Sequence, residues 1–312
     1  MTPHKITVAS TAAIATLFLS ACGSSDPFED ASTAPSTPAE ANTVIIGTAN
    51  FPESEIIGQI WAEALRQEGF DVKVASGIGS REVYLSALEE GSVTLIPEYS
   101  GNLAQFFGDL PAGADEQTVK DTLTSVLPPS LSTGEFSPAE SKDAYRVTRQ
   151  IAEEFGLATI ADLDKLEHIT IAAPPEFAER PAGPQGLTAT YGIDAAKITV
   201  VPISDGGGPL TVQTLVQGAA NTANIFTTSP ALLSDGSEAD LVTLSDPENL
   251  IPPQNVVPVL KAGSLPRGAL ETINKVGAKL TTDSLVHMNL RNVGPERTEP
   301  TQIAKEWVHN NT

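Results

Sequence analysis

The chain has 312 residues, enough for two modest domains or one large one. Lys and Arg number 18 against 39 Asp and Glu, giving a formal net charge of −21. That balance excludes a nucleic-acid partner and docking on an anionic membrane through basic patches, and it suits an exported, soluble surface. Aromatic residues are few, at 5%.

The first 22 residues read as an export signal. A weakly basic start (His4, Lys5) leads into an apolar stretch from Val8 to Leu19, too short to span a bilayer. Leu19-Ser20-Ala21-Cys22 follows and looks like a bacterial lipobox, in which the cysteine becomes the lipidated first residue of the mature chain. Cys22 is the only cysteine, so no internal disulfide or cysteine-rich metal site is expected. Residues 23–42 are rich in Ser, Pro, Thr, Ala and acids and read as a flexible tether.

Folding is expected to begin at Thr43–Gly47, a β-rich run. Pro52 and the acids after it favour the first turn of a helix. Ile56, Ile57, Ile60, Trp61, Ala64 and Leu65 recur at helical spacing, and Gly69 closes that helix. The plan repeats: a strand at Phe70–Ala75, a turn at Gly77-Ile78-Gly79-Ser80, a helix around Tyr84 and Leu88, and a strand at Val93–Ile96 stopped by Pro97. This β-α-β-α-β order predicts a parallel sheet faced by helices. Ligands of such sheets collect beyond the carboxyl ends of the strands. Tyr99 and Ser100, just past the third strand, are therefore candidate contacts. Asn50–Phe51 and Gly79–Ser80 lie at strand-to-helix turns, where free amides favour a carboxylate; Ser80 also stands where it can cap its helix. Glu98 and Glu176 read as structural anchors of their turns.

Asp115–Leu127 reads as a surface helix, and Pro128–Ser141 is Pro- and Ser-rich. A second α/β set follows. Strands are expected at Lys142–Thr148, His168–Ala173, Lys197–Ile203, Ala223–Thr227 and Leu241–Leu244. Helices are expected at Arg149–Phe155, ended by Gly156, at Gly186–Tyr191, and from the glycine-rich turn Asp205–Pro209 to Gly218. That turn is too weak a signal to count as an anion site. After Pro252 and Pro253 comes a strand at Asn255–Leu260, then helices at Ala269–Leu280, Thr282–Leu290 and Pro300–His309 that return to the first unit. The reading is an α/β chain of two hinged lobes with a cleft between them. Residues 43–142 and 250–312 form lobe I, and residues 143–249 form lobe II.

No Gly-x-Ser-x-Gly, His-Glu-x-x-His, Cys-x-x-Cys or P-loop is present. The histidines (His4, His168, His287, His309) are far apart, and none adjoins a nucleophile. No catalytic residue, metal site or cofactor is expected, and the protein is not read as an enzyme.

From about Val44 to Asn310, the chain resembles the substrate-binding proteins of osmoprotectant ABC importers, the glycine betaine, choline and carnitine receptors. The resemblance rests on Gly47-Thr-Ala-Asn-Phe-Pro-Glu53, Gly77-Ile-Gly-Ser80, Pro97-Glu-Tyr-Ser-Gly101, Pro175-Glu-Phe177 with Arg180, Gly186-Leu with Tyr191-Gly, Ile225-Phe-Thr-Thr228 and Pro252-Pro-Gln-Asn255, found in this order. It implies the type II periplasmic-binding-protein fold, with two α/β lobes joined by a two-segment hinge that closes on its ligand. It also implies an aromatic cage for a quaternary ammonium. Tyr99 falls on the cage tyrosine, and the second-lobe aromatic falls on Phe226 or is lost. Asp143 and Gln254 stand where relatives carry aromatics, so a reduced cage, or a more polar solute, is expected. Thr227, Thr228 and Asn255 are further candidate contacts. The implied partners are a small betaine-like solute, an ABC permease subunit with its ATPase, and the membrane through lipid at Cys22, with the receptor itself a monomer.

Overall fold

The computed structural model describes residues 43–111 and 113–312. The signal, the tether and Cys22 lie outside the described residues. The chain runs through β1 (Thr43–Gly47), α1 (Pro52–Gln67), β2 (Asp71–Ala75), α2 (Arg81–Glu90), β3 (Leu95–Tyr99), α3 (Ser100–Phe107), α4 (Glu116–Val126) and β4 (Leu131–Thr133). It continues with β5 (Tyr145–Thr148), α5 (Arg149–Phe155), β6 (Ile169–Ala173), α6 (Pro184–Tyr191), β7 (Ile198–Pro202), α7 (Pro209–Val216), β8 (Thr222–Asn224) and β9 (Leu241–Thr243). It closes with β10 (Val256–Lys261), α8 (Ala269–Gly277), α9 (Thr282–Val293) and α10 (Pro300–Asn311). Among the described residues no helix is long and apolar enough to cross a membrane.

The strands form two five-stranded sheets, ordered β2-β1-β3-β10-β4 and β7-β6-β8-β5-β9. In the first, β1 pairs in parallel with β2 and β3, and β10 runs antiparallel between β3 and β4. The second repeats the scheme: β6 pairs in parallel with β7 and β8, and β5 runs antiparallel between β8 and β9. Each sheet with its helices is one lobe, and the two α/β lobes have the expected architecture. The chain passes between them after β4 and again before β10. The two passages touch each other through an antiparallel bridge between Glu140 and Asn255.

Helix α1 is the hub of the first lobe. Pro52 opens it, and Glu53 and Glu55 lie in its first turn, where the dipole favours acids. Its apolar stripe of Ile56, Ile57, Ile60, Trp61 and Leu65 is fully buried. This stripe meets β1, β10 and the returning helices α8, α9 and α10 in one core. At ~1.5–3 kcal/mol for each large apolar side chain, such a stripe outweighs helix propensity in fixing the element. The second lobe has its own core around Tyr145, Phe177, Ile169 and Leu187.

One expectation needs correction. Pro97 does not end the third strand, which runs on to Tyr99. Pro97 faces Pro258 on β10, and three residues along Ser100 N donates to the Asn255 carbonyl. In the alternation of an antiparallel ladder, two residues without an N–H therefore share a non-hydrogen-bonded position, where neither is missed. Within the Pro- and Ser-rich stretch, Leu131–Thr133 pairs with β10 as an edge strand.

Candidate functional site

The loops that leave the carboxyl ends of the strands converge between the lobes, as the topology requires. They enclose a cavity of about 140 Å³. Its walls include Ala49, Asn50 and Phe51 after β1, Gly79 and Ser80 before α2, Arg81 and Tyr84 on α2, Tyr99 at the end of β3 and Asn102 on α3. The second lobe adds Pro174, Pro175, Glu176 and Arg180 after β6, Ser204 and Gly206 after β7, and Phe226 after β8, while Ser141 comes from the first passage.

The turns are fixed by Thr48, a buried residue. Its hydroxyl accepts from Gly77 N at 3.0 Å and its carbonyl from Ile78 N at 2.9 Å, which locks the β1–α1 turn to the β2–α2 turn. The amides there are not all free, contrary to expectation. Ala49 N donates to Ser54 Oγ at 2.9 Å and Asn50 N to the Gly79 carbonyl at 3.2 Å. Ser80 does not cap α2 through its side chain; its hydroxyl donates to Glu82 Oε2 and the residue lines the cavity.

Part of the cavity wall is aromatic. The Phe51 ring lies between Tyr99 and Phe226, with centroids 6.1 and 5.7 Å away and both pairs tilted. Phe51 and Tyr99 belong to the first lobe and Phe226 to the second, so the lobes meet over these rings. Gly206 closes the same contact: its φ of +64° is left-handed, and a Cβ there would sit 3.1 Å from Phe51 Cβ.

The wall also carries charge. Arg81 lies along Glu98 in a two-point pair, and Tyr84 also donates its hydroxyl to Glu98 at 2.7 Å. Burial opposes the charge on Arg81, but the Glu98 carboxylate outweighs it and the guanidinium is held protonated. Glu98 also accepts from Tyr99 N, so it anchors its turn as expected. Arg180 faces Arg81 from the second lobe, with Glu176 at 3.5 Å beside it. Glu82 has a lowered pKa: slight burial works against its charge, whereas the Ser80 hydroxyl and, across the cleft, Arg180 favour it. A groove outside the cavity shares Arg81, Asn102, Glu176 and Arg180, which places these residues at the mouth.

Six of the predicted contact residues line this cavity: Asn50, Phe51, Gly79, Ser80, Tyr99 and Phe226. The other six tie the passages together behind it. Ser100 Oγ accepts from Asn255 N at 3.0 Å. Asn255 Nδ2 donates to the Ser137 carbonyl at 3.1 Å. Gln254 holds Asn102 at both ends, accepting from its N at 2.9 Å and donating to its Oδ1 at 2.8 Å. Asn102 Nδ2 in turn donates to Asp143 Oδ2 at 2.9 Å. Thr227 exchanges hydrogen bonds with the Lys142 backbone, and Thr228 shares one with Ser141 Oγ at 2.7 Å. A Cβ on Gly101 would lie 2.4 Å from the Pro253 carbonyl, so only glycine lets α3 approach the second passage this closely. None of these six lines the cavity, because polar groups on two antiparallel passages satisfy each other first.

Glu53 was legible only as a helix-dipole acid. The structure buries it, with Tyr99 OH donating to Oε1 at 2.6 Å and Asn289 Nδ2 to Oε2 at 2.6 Å. The signal that marks it is its place on the apolar stripe of α1, one turn before Ile56 and Ile57 and two before Ile60. The glycine-rich turn carries its own anion: Asp205 accepts from the amides of Gly208, Leu210 and Thr211 at the start of α7. Among the described residues, no group of three or more His, Cys, Asp or Glu is placed to hold a metal ion.

Residues 42–310 match the family model described as the substrate binding domain of ABC-type glycine betaine transport system. The chain belongs to this family. The glycine betaine-binding protein YehZ of Escherichia coli is 24% identical over 281 residues, 86% of this chain and 90% of that protein. A glycine-betaine-binding protein of Pseudomonas aeruginosa is 24% identical over 289 residues, 86% of this chain and 88% of that protein. The crystal structure of a glycine betaine/carnitine/choline ABC transporter superposes with a TM-score of 0.65 at 21% identity, covering 86% of this chain and 98% of that one.

Proposed function

We propose that this substrate-binding domain captures a small zwitterion with a quaternary ammonium group, glycine betaine foremost, and presents it to an ABC permease with its ATPase. Phe51 between Tyr99 and Phe226 carries the reading. Three rings from two lobes, packed on one another, line a cavity that Arg180 and Arg81 also line. The trimethylammonium group sits among the rings, where each desolvated cation–π contact is worth ~0.5–2 kcal/mol. The ligand carboxylate turns toward Arg180, which a fork of donors suits, with Asn50 and Ser80 alongside. Arg81 already has its carboxylate in Glu98 and supplies field more than contact. Ligand-bridged lobes dock as the closed form, and no bond in the solute is made or broken.

The departures at Asp143 and Gln254 do not argue for a different solute on this reading, since both side chains serve the passages behind the cavity. The lobes divide at residues 142–143 and 249–250. The mature receptor is a monomer, exported and held at the outer face of the cytoplasmic membrane by lipid on Cys22.

Heat stabilisation of the soluble chain by a panel of solutes tests the ligand assignment. At a hundred times its Kd a ligand adds ~2.7 kcal/mol to stability. Glycine betaine and proline betaine are expected to raise the melting temperature, and Phe226→Ala is expected to abolish the rise. Equal melting temperatures with every quaternary ammonium tried, in a cooperatively folded protein, contradict the assignment.

A further inference from the structure

We infer that Glu53 sets the cleft's preference for a positively charged ligand head, acting through the Tyr99 hydroxyl without touching the ligand. The inference rests on the betaine reading above and deepens it. Glu53 is buried, and among the described residues it pairs with no Lys or Arg. Three neutral groups surround its carboxylate: Tyr99 OH at 2.6 Å, Asn289 Nδ2 at 2.6 Å and the Thr228 hydroxyl. A buried carboxylate held only by neutral donors lacks the counter-charge that such groups normally have. It lines not the ligand cavity but a smaller one of about 70 Å³, separated from it by Phe51 and Phe226. Tyr99 bridges the two spaces, its ring in the ligand cavity and its hydroxyl on Glu53.

Two consequences follow from that bridge. A phenol that donates to a carboxylate is polarised, and electron density moves onto the ring, which strengthens the attraction between its face and a cation. The carboxylate also adds its own field in a medium of low effective dielectric. Both favour a cation among Phe51, Tyr99 and Phe226, and both leave a neutral group of the same shape unaffected. A bound quaternary ammonium thus supplies the counter-charge that the protein omits. Glu53 is a positioning and tuning residue, distinct from the contact residues.

The test compares glycine betaine with its neutral-head isostere 3,3-dimethylbutanoate by calorimetry on the soluble chain. The isostere keeps the carboxylate and the shape and removes only the positive charge. Glu53→Gln is expected to weaken glycine betaine ~tenfold, the size of one screened charge at cleft distance, and not to weaken the isostere, whose net negative charge the Glu53 field can only repel. Tyr99→Phe keeps the ring and cuts the link while Glu53 keeps its field; it is expected to weaken betaine less than Glu53→Gln does, and Glu53→Gln added to it is expected to cost less than it does alone. Equal weakening of both ligands by Glu53→Gln, or full additivity with Tyr99→Phe, overturns the inference in favour of a purely structural role. A wild-type protein that binds no quaternary ammonium overturns the betaine reading first, and the tuning role with it.

Discussion

Arg81 and Glu98 form a buried two-point ion pair, with Nε to Oε1 at 2.7 Å and Nη2 to Oε2 at 2.9 Å. Arg81 lines the cavity between the lobes, and Glu98 behind it holds its charge. Breaking one side leaves the other charge buried and alone. Glu98→Ala is expected to cost ~3–5 kcal/mol of folding stability, because Arg81, Tyr84 OH and Tyr99 N all lose their acceptor. Urea denaturation without ligand measures it, and a loss below ~1 kcal/mol contradicts this role.

Gly206 offers a separate handle on closure. Gly206→Ala strains a left-handed backbone by ~1–2 kcal/mol in any state of the protein. The added methyl also pushes on Phe51 across the cleft, which penalises only the closed state. Ligand affinity is therefore expected to fall ~3–10-fold, read as Kd by calorimetry, beyond what the change in melting temperature of the free protein explains.

Gln254 is expected to matter for stability and not for ligand contact. It is fully buried and holds Asn102 by two hydrogen bonds. Gln254→Ala leaves those groups unsatisfied, at ~1–3 kcal/mol each. Denaturant midpoints for Gln254→Ala are expected to drop sharply, while a variant that still folds keeps its preference for betaine over the neutral isostere.

Three buried tyrosines set the alkaline limit. Burial raises the pKa of Tyr84, Tyr99 and Tyr145 well above 10.0, and for Tyr99 the neighbouring Glu53 carboxylate adds to it. Above the ordinary tyrosine pKa of about 10, the unfolded chain loses these protons and the folded chain keeps them. The folded state then binds more protons, so stability falls as pH rises from about 10 upward. Melting temperatures measured between pH 8 and 11 are expected to be flat with respect to these groups below 10 and to drop beyond it. Tyr99→Phe is expected to soften the drop.

Much of the architecture was readable from the chain. Arg149–Phe155 ends at Gly156 because that residue takes a left-handed cap, a demand only a few residue types meet. The apolar stripe of α1 marked the core of the first lobe. What failed was tertiary in origin. Pro97 reads as a strand stop until Pro258 is placed opposite it. Ser100 begins α3 and meets Asn255, which lies far along the chain, so its polarity looked like a ligand contact. The cavity is also more aromatic than expected. Phe51 reads as a turn residue, and only the folded chain brings it between Tyr99 and Phe226. Glu53 and Arg81 were missed because their partners, Tyr99, Asn289 and Glu98, come together only through the fold.

On the proposed function, the aromatic wall of the cleft holds a quaternary ammonium. Calorimetric titration of the soluble chain with glycine betaine, for wild type and for Tyr99→Ala, decides this. Saturable one-to-one binding is expected for wild type, and a loss of at least ~tenfold for Tyr99→Ala, from the removed ring and its link to Glu53. No heat of binding to the folded wild-type protein, or equal affinity in the variant, contradicts it.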